Sequence, residues 1–280
     1  MKSYVANFEK ICEASSPLYS PIEDAKGVLH VVSSNGDIFQ IVDNELQLKI
    51  SAPGQPTSIA FDNEGVLHIA DSAHQAIISQ TQGEGENKVE MNPLVKDYEN
   101  CPLLGPHTLM FSPTNNTLYF TDSGVMGMTN LEAPKGSLFC IDFEYDVLKP
   151  LAYHCLAQPT GVVASSDGRI YVSETCANRI IRFVKSSSGV YHASVFFQFA
   201  GKYGPTALAM NHNDLLYVAR YDFIGPDGLI NVISPNGDLV QEITVPGCPE
   251  ITGLSFSKSN PDLLYVTEIT HNTMMKLITK

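Results

Sequence analysis

The residues able to do chemistry in this sequence are not grouped into a familiar motif. Its eight histidines are scattered, and none forms a zinc-spaced pair with a cysteine. The six cysteines, Cys12, Cys101, Cys140, Cys155, Cys176 and Cys248, lie far apart with no C-x-x-C pair. There is no G-x-S-x-G, no P-loop, no G-x-G-x-x-G after a strand and no H-E-x-x-H. The run Gly83-Glu84-Gly85 sits in a polar linker, residues 81–87, and its acids would repel a phosphate. What remains is an acid that recurs after similar short segments, as Asp71, Asp122, Glu174 and Glu268, together with His107 and Glu250, each following a proline. One imidazole among several carboxylates is the raw material of general acid–base catalysis. The same acids also suit hydrogen bonding to the turns that follow them.

Which of these roles applies depends on the elements that position the residues. The stretch Pro159–Phe183, PTGVVASSDGRIYVSETCANRIIRF, holds short apolar runs at Gly161–Ala164, Ile170–Ser173 and Ile180–Phe183. Asp167-Gly168 supplies the left-handed residues of a tight hairpin between the first two. Runs this short, rich in Val, Ile, Tyr and Phe, are strands of a meander. The middle strand recurs as LHVVS (Leu29–Ser33), LHIAD (Leu67–Asp71), LYFTD (Leu118–Asp122), IYVSE (Ile170–Glu174), LYVAR (Leu216–Arg220) and LYVTE (Leu264–Glu268). Tyr19, Thr57, Thr160 and Thr206 lie eleven residues before its aromatic slot, and His107 and Thr252 fill that place after small insertions. Successive units start 38, 50, 53, 46 and 46 residues apart, the period of a propeller blade.

The reading is therefore an all-β, six-bladed β-propeller forming one domain over residues 1–280, with blades opening near 19, 57, 107, 160, 206 and 252. The last unit ends at Thr273–Ile278 without a fourth strand, so Tyr4–Ile11, within the lead-in 1–18, is predicted to close the ring by pairing there. His30 and His68 stand where other copies carry tyrosine, and are expected to pack between blades.

Bulk properties narrow the function. A formal charge of −13 argues against nucleic acid and anionic membranes. No run is long and apolar enough to span a bilayer. The N-terminal segment MKSYVANFEKICEASS reads as lacking a secretory signal, and the cysteines as reduced thiols, so a cytoplasmic location is expected.

In such a meander the start of the first strand and the turn after the second share one rim. That rim collects Tyr19, Thr57, His107, Thr160, Thr206 and Thr252, ringed by Ser33, Asp71, Asp122, Glu174, Arg220 and Glu268. Two long turns, Ser123–Gly136 and Tyr221–Gly228, also fall there and suit lids or partner-binding loops.

The Pro159–Phe183 unit resembles an NHL repeat, whose pattern is Pro-x-Gly, a turn, apolar–Tyr–Val–x–acid, then Arg-Ile. The span Tyr119–Phe183, with YFTDSG, GSLFCID and PTGV, is similar to the strictosidine-synthase-like and SMP-30/gluconolactonase families of six-bladed propellers. The resemblance extends around the whole ring. For the SMP-30 lactonases it implies one divalent metal at the channel mouth, held by a Glu on the first blade and Asn or Asp on later ones. Matched by position, these ligands fall on Tyr19, on or near His107, and on Thr160 and Thr206. None is a carboxylate, whereas a hard divalent ion needs anionic oxygens, so no tightly bound metal and no cofactor are expected. Strictosidine synthases use a glutamate entering the sixth blade; Glu250 is the nearest match, with Thr252 the other occupant of that slot.

The favoured expectation is a non-catalytic propeller, in one version a scaffold subunit of a larger assembly. It would bind a protein or small molecule on the rim through Tyr19, Thr57, His107, Asp122, Thr160, Glu174, Thr206, Arg220, Thr252 and Glu268. The alternative is a hydrolase or lyase of the lactonase or esterase type, with a rearranged site using Glu250, His107, Asp122 and Glu174.

Overall fold

The computed structural model of the chain describes residues 2–52, 54–83, 89–201, 204–221 and 224–279. Residues 84–87 of the polar linker, and 222–223 of the second long turn, lie outside the described residues. Short β-branched and aromatic runs separated by Gly, Asp and Asn turns form six sheets built on antiparallel meanders, each meander opening on its innermost strand, as blades one to six. The innermost strands are Leu18–Glu23, Pro56–Phe61, Pro106–Phe111, Pro159–Ala164, Pro205–Met210 and Ile251–Phe256. A small extra hairpin, Asp97–Tyr98 with Cys101–Pro102, was not anticipated. Among the described residues no helix is long and apolar enough to cross a membrane.

Apolar side chains on both faces of each blade have one place to go, the seams between blades. Six buried clusters occupy the six seams, for example Val32, Ile38, Ile59 and Ile69 between blades one and two. Burial of each such side chain stabilises the ring by about 1.5–3 kcal/mol. The two slot histidines belong to these seams. His30 packs its ring 4.9 Å from Phe61 of blade two, and His68 lies 5.2 Å from Phe111 of blade three.

As expected, an N-terminal strand closes the ring by completing blade six against Thr273–Ile278, but its bounds differ from the predicted Tyr4–Ile11. Glu9–Glu13 is the fourth strand of blade six, antiparallel to Thr273–Ile278, with Glu9 opposite Lys276 and Glu13 opposite Thr273. The earlier half of the predicted segment does something else: Lys2–Val5 runs parallel to Leu239–Val245 and adds a fifth strand to blade five. The chain crosses from one blade edge to the next after Val5. Ala6 and Phe8 plug the seam between blades five and six, while Val5 is 67% exposed. On the opposite side of blade six a buried carboxylate locks the seam with blade one. Glu23 accepts hydrogen bonds from Ser257 Oγ (2.7 Å), Tyr265 Oη (2.8 Å) and the Lys258 N–H (2.7 Å).

Candidate active site

Each innermost strand of blades two to six carries a one-residue bulge beside its opening residue. Bulges re-aim side chains, and here they turn the opening threonines sideways onto the next blade. Thr57 Oγ1 donates to the His107 carbonyl (2.7 Å), Thr160 Oγ1 to the Thr206 carbonyl (3.0 Å), Thr206 Oγ1 to the Ile251 carbonyl (3.0 Å) and Thr252 Oγ1 to the Leu18 carbonyl (2.6 Å). These hydroxyls are latches between blades. In blade three the latch has moved on by one residue, to Thr108 Oγ1, which donates to the Thr160 carbonyl.

That shift releases His107. Its Nδ1 lies 2.8 Å from the same Thr160 carbonyl, and a carbonyl only accepts, so Nδ1 carries the proton. Nε2 keeps its lone pair. Burial holds the imidazole below the usual histidine value, against the raising effect of the Thr160 hydrogen bond. The ring is therefore a neutral base at pH 7.

His107 lines a cavity of about 910 Å³ at the rim, together with Tyr19, Thr160, Thr206, Tyr221, Glu250 and Thr252. Thr175, Cys176, Asn178, Gly204, Ile251 and Ile269 complete its floor and wall. Gly204 allows the close approach of blades four and five here, because a Cβ on it would meet the Thr175 carbonyl oxygen at 1.8 Å. The long turn after the second strand of blade three supplies Met126, Asn130, Leu131 and Glu132 as a third side. It is pinned by Thr129, whose Oγ1 accepts the Gln158 N–H at 2.8 Å, and by the Gly124 N–H donating to the Gly105 carbonyl at 3.0 Å.

Glu250 and Tyr221, from adjacent blades, meet across the cavity: Tyr221 Oη donates to Glu250 Oε1 at 2.8 Å. Burial and that hydrogen bond push the Tyr221 phenol well up, and burial followed by the Glu250 charge raises Tyr19. Both phenols stay protonated and can donate. Cys176 is also raised, by burial and by Glu174, so it stands there as a thiol rather than a thiolate nucleophile. The wall thus offers one imidazole acceptor, the Tyr19 phenol as a donor, the hydrogen-bonded Tyr221–Glu250 pair and the Glu132 carboxylate in a largely apolar space.

Of the residues read as a binding rim, Tyr19, His107, Thr160, Thr206 and Thr252 line this cavity, as does Glu250. Thr57 faces the narrower central channel instead. Asp122, Glu174, Arg220 and Glu268 are buried behind the rim at 0–6% exposure and are correspondingly withdrawn from the cavity wall. The acids are held by backbone amides and neighbouring side chains. Asp122 accepts the Leu104 and Gly105 N–H groups (3.0 and 2.8 Å), and Glu174 the Ala157 N–H (2.7 Å). Arg220 donates to the Gly201 carbonyl (2.6 Å) and stacks on Phe199. Tyr221, Cys176, Asn178 and Ile269 were missed. Only Tyr221 carried a signal, as the first residue of a long rim turn.

The divalent metal implied for the channel mouth does not fit this donor set. Thr160 and Thr206 spend their hydroxyl protons on backbone carbonyls, His107 offers nitrogen, and Tyr19 is a protonated phenol. The nearby amide oxygens are engaged too: Asn130 Oδ1 accepts the Glu132 and Ala133 N–H groups, and Asn178 Oδ1 accepts from Arg220. The carboxylates in the lining are Glu250, whose Oε1 is taken by Tyr221, and Glu132. Among the described residues no third ligating side chain gathers with them, so a hard ion would find no cage of anionic oxygens.

Comparison with known proteins bears on the chemistry. The lactonase drp35 of Staphylococcus aureus is 24% identical over 239 residues, covering 81% of this chain and 69% of its own. A gluconolactonase from Xanthomonas campestris superposes with a TM-score of 0.80 at 17% identity, over 98% of this chain and 90% of that one. A calcium-binding protein, regucalcin, from Agrobacterium tumefaciens gives 0.80 at 15%, over 100% and 97%. The two structural likenesses show the fold. The lactonase and gluconolactonase names among these relatives overturn the expectation of a non-catalytic binding module and side with the hydrolytic alternative. The family profile described as SMP-30/Gluconolactonase/LRE-like region matches residues 50–270, and the chain belongs to that family.

Proposed function

We propose that this protein hydrolyses a lactone, or a closely related ester, bound in the rim cavity, with His107 as general base. The observation that carries the reading is the imidazole itself: neutral, fixed through Nδ1 on the Thr160 carbonyl, which leaves Nε2 as its acceptor, and part of the cavity lining. Nε2 takes a proton from water as the oxygen attacks the carbonyl carbon. The phenol of Tyr19 donates to the carbonyl oxygen as charge develops there. The imidazolium then returns the proton to the ring oxygen as the C–O bond breaks, giving the hydroxy acid. Tyr221 and Glu250 hold each other in place and leave the carboxylate as an acceptor for substrate hydroxyls.

The apolar walls from Met126, Leu131, Ile251 and Ile269 support a small substrate with an apolar portion. A reducing, cytoplasmic setting is part of the proposal, supported by six free thiols. A small-molecule substrate, rather than nucleic acid or a membrane, accords with the charge of −13. The test is a panel of γ- and δ-lactones and aryl esters assayed with the wild type and His107→Gln. The expected result is turnover that falls roughly 10²–10⁴-fold in the variant. No turnover of any member, or a Ca²⁺ requirement that His107→Gln leaves intact, would overturn it.

A further inference from the structure

The buried acids after the second strands differ in what neutralises them, and the difference is sharpest between blades four and six. In blade four, Glu174 is 1% exposed, and its cross-strand partner Arg179 places Nε 2.5 Å from Oε2. In blade six, Glu268 is 0% exposed, and its cross-strand partner is Thr273. Thr273 Oγ1 donates to Oε1 at 2.6 Å, and the Thr273 N–H to the same oxygen at 3.3 Å. The His271 N–H is shared between Oε1 at 3.0 Å and Oε2 at 3.1 Å. Oε2 thus receives half of one donor, and the place of the guanidinium is taken by an uncharged hydroxyl.

Two other ligating side chains stand beside the carboxylate, and one of them, His271, places Nδ1 3.5 Å from Oε1. Cys248, 5% exposed, comes from the connector between blades five and six, and the exposed ring of His271 from the turn after Glu268. One ligand atom from each of Cys248, Glu268 and His271 lies within 4.8 Å of the others, the only such group of three or more His, Cys, Asp and Glu among the described residues. Asp227 is a second acid close by, its Oδ1 accepting the Gly247 N–H at 2.8 Å.

We infer that Cys248, Glu268 and His271 form a zinc-binding site. Sulfur, imidazole and a single carboxylate are the ligands of Zn²⁺, whereas Ca²⁺ and Mg²⁺ take oxygen cages. The ion supplies the positive charge that Arg179 supplies in blade four. Three protein ligands leave a fourth position toward solvent on the His271 side. The site is separate from the rim cavity, which none of the three lines, yet it grips the connector that carries Glu250 into the innermost strand of blade six. Cys248 lies two residues upstream of Glu250, and the N–H of Ile269, beside Glu268, donates to the Glu250 carbonyl at 3.1 Å. Zinc here braces one wall of the cavity without touching substrate.

Blade two provides an internal control. Asp71 and His74 repeat the acid–histidine step, with His74 Nδ1 3.0 Å from Asp71 Oδ2, but no third donor completes a group among the described residues. The experiment is a Co²⁺ titration of the untagged, metal-stripped chain, followed by displacement with Zn²⁺. One equivalent of Co²⁺ should give a thiolate charge-transfer band and intense visible bands of tetrahedral geometry, and Zn²⁺ should abolish both. Cys248→Ser should lose the charge-transfer band. His271→Ala, a surface change, should weaken Zn²⁺ binding roughly 100-fold, since even outer-shell changes cost about 10–100-fold, and His74→Ala should leave it unchanged. Weak octahedral Co²⁺ spectra in the wild type, or Zn²⁺ binding that survives both Cys248→Ser and His271→Ala, would overturn the assignment. Either result is independent of whether lactones are hydrolysed.

Discussion

Thr206 and His107 occupy the same place in the repeat and do opposite things. Thr206 gives its hydroxyl proton to the Ile251 carbonyl of the next blade, and so holds two innermost strands together. His107 is relieved of that duty by Thr108, anchors itself on the Thr160 carbonyl and keeps a lone pair for the cavity. The lesson is that a position repeated in most blades is there to build the ring. Chemistry is found where one blade departs from the repeat.

The comparison breaks most decisively at His107 itself. His107→Thr restores the residue used by four of the other five blades and should leave the melting temperature nearly unchanged. It should also abolish lactone turnover by roughly 10²–10⁴-fold, as followed by proton release. Loss of folding along with activity would put His107 among the structural residues.

Next in size is the converse change. Thr206→Val or Thr252→Val leaves a carbonyl of the next blade without its donor, at about 1–3 kcal/mol. For a chain of this size each kcal/mol lowers the melting temperature by about 2–4 °C. Thermal unfolding of the two variants should therefore show a shift that His107→Thr does not. If the threonine variants melt like wild type, the latches contribute nothing and the contrast fails.

A smaller effect separates the seam histidines from His107. Burial lowers His30 and His68 below the ordinary histidine value, so the unfolded chain takes up their protons first as the pH falls. Stability is complete above the unfolded value of about 6.5 and declines as pH drops below it. His68→Phe, which keeps the ring against Phe111, should flatten part of that decline in urea unfolding between pH 7 and pH 5. An unchanged slope would remove His68 from the account.

Much of the ring was legible because each blade solves the same problem with the same residues. Apolar–Tyr–apolar strands, Asp-Gly turns and prolines at the strand starts located every innermost strand to within a residue. Contacts between blades were not legible, since they join residues about 50 apart whose partners are backbone carbonyls. Hence the opening threonines read only as a binding ring, and their second role as latches between blades was not legible. Their recurrence was the available clue, because four identical residues at one repeated position suggest one shared structural task. Tyr221 and Glu250 lie on different blades, and no sequence spacing reveals their 2.8 Å hydrogen bond. The closing strand was legible from the missing fourth strand of blade six, but its bounds were not. The segment before it adds a strand to blade five, and nothing in the sequence marks where the chain passes from one edge to the other.

The central claim is that the neutral His107 imidazole is the base, and the pH dependence of kcat/KM on a hydrolysed lactone tests it most directly. The free-enzyme limb should rise with pH through a midpoint below about 6.5, the ordinary histidine value, and then level off. His107→Gln should be slow and flat across that range. A rising limb with the same midpoint in His107→Gln would contradict the account, because the titrating base would then be another group.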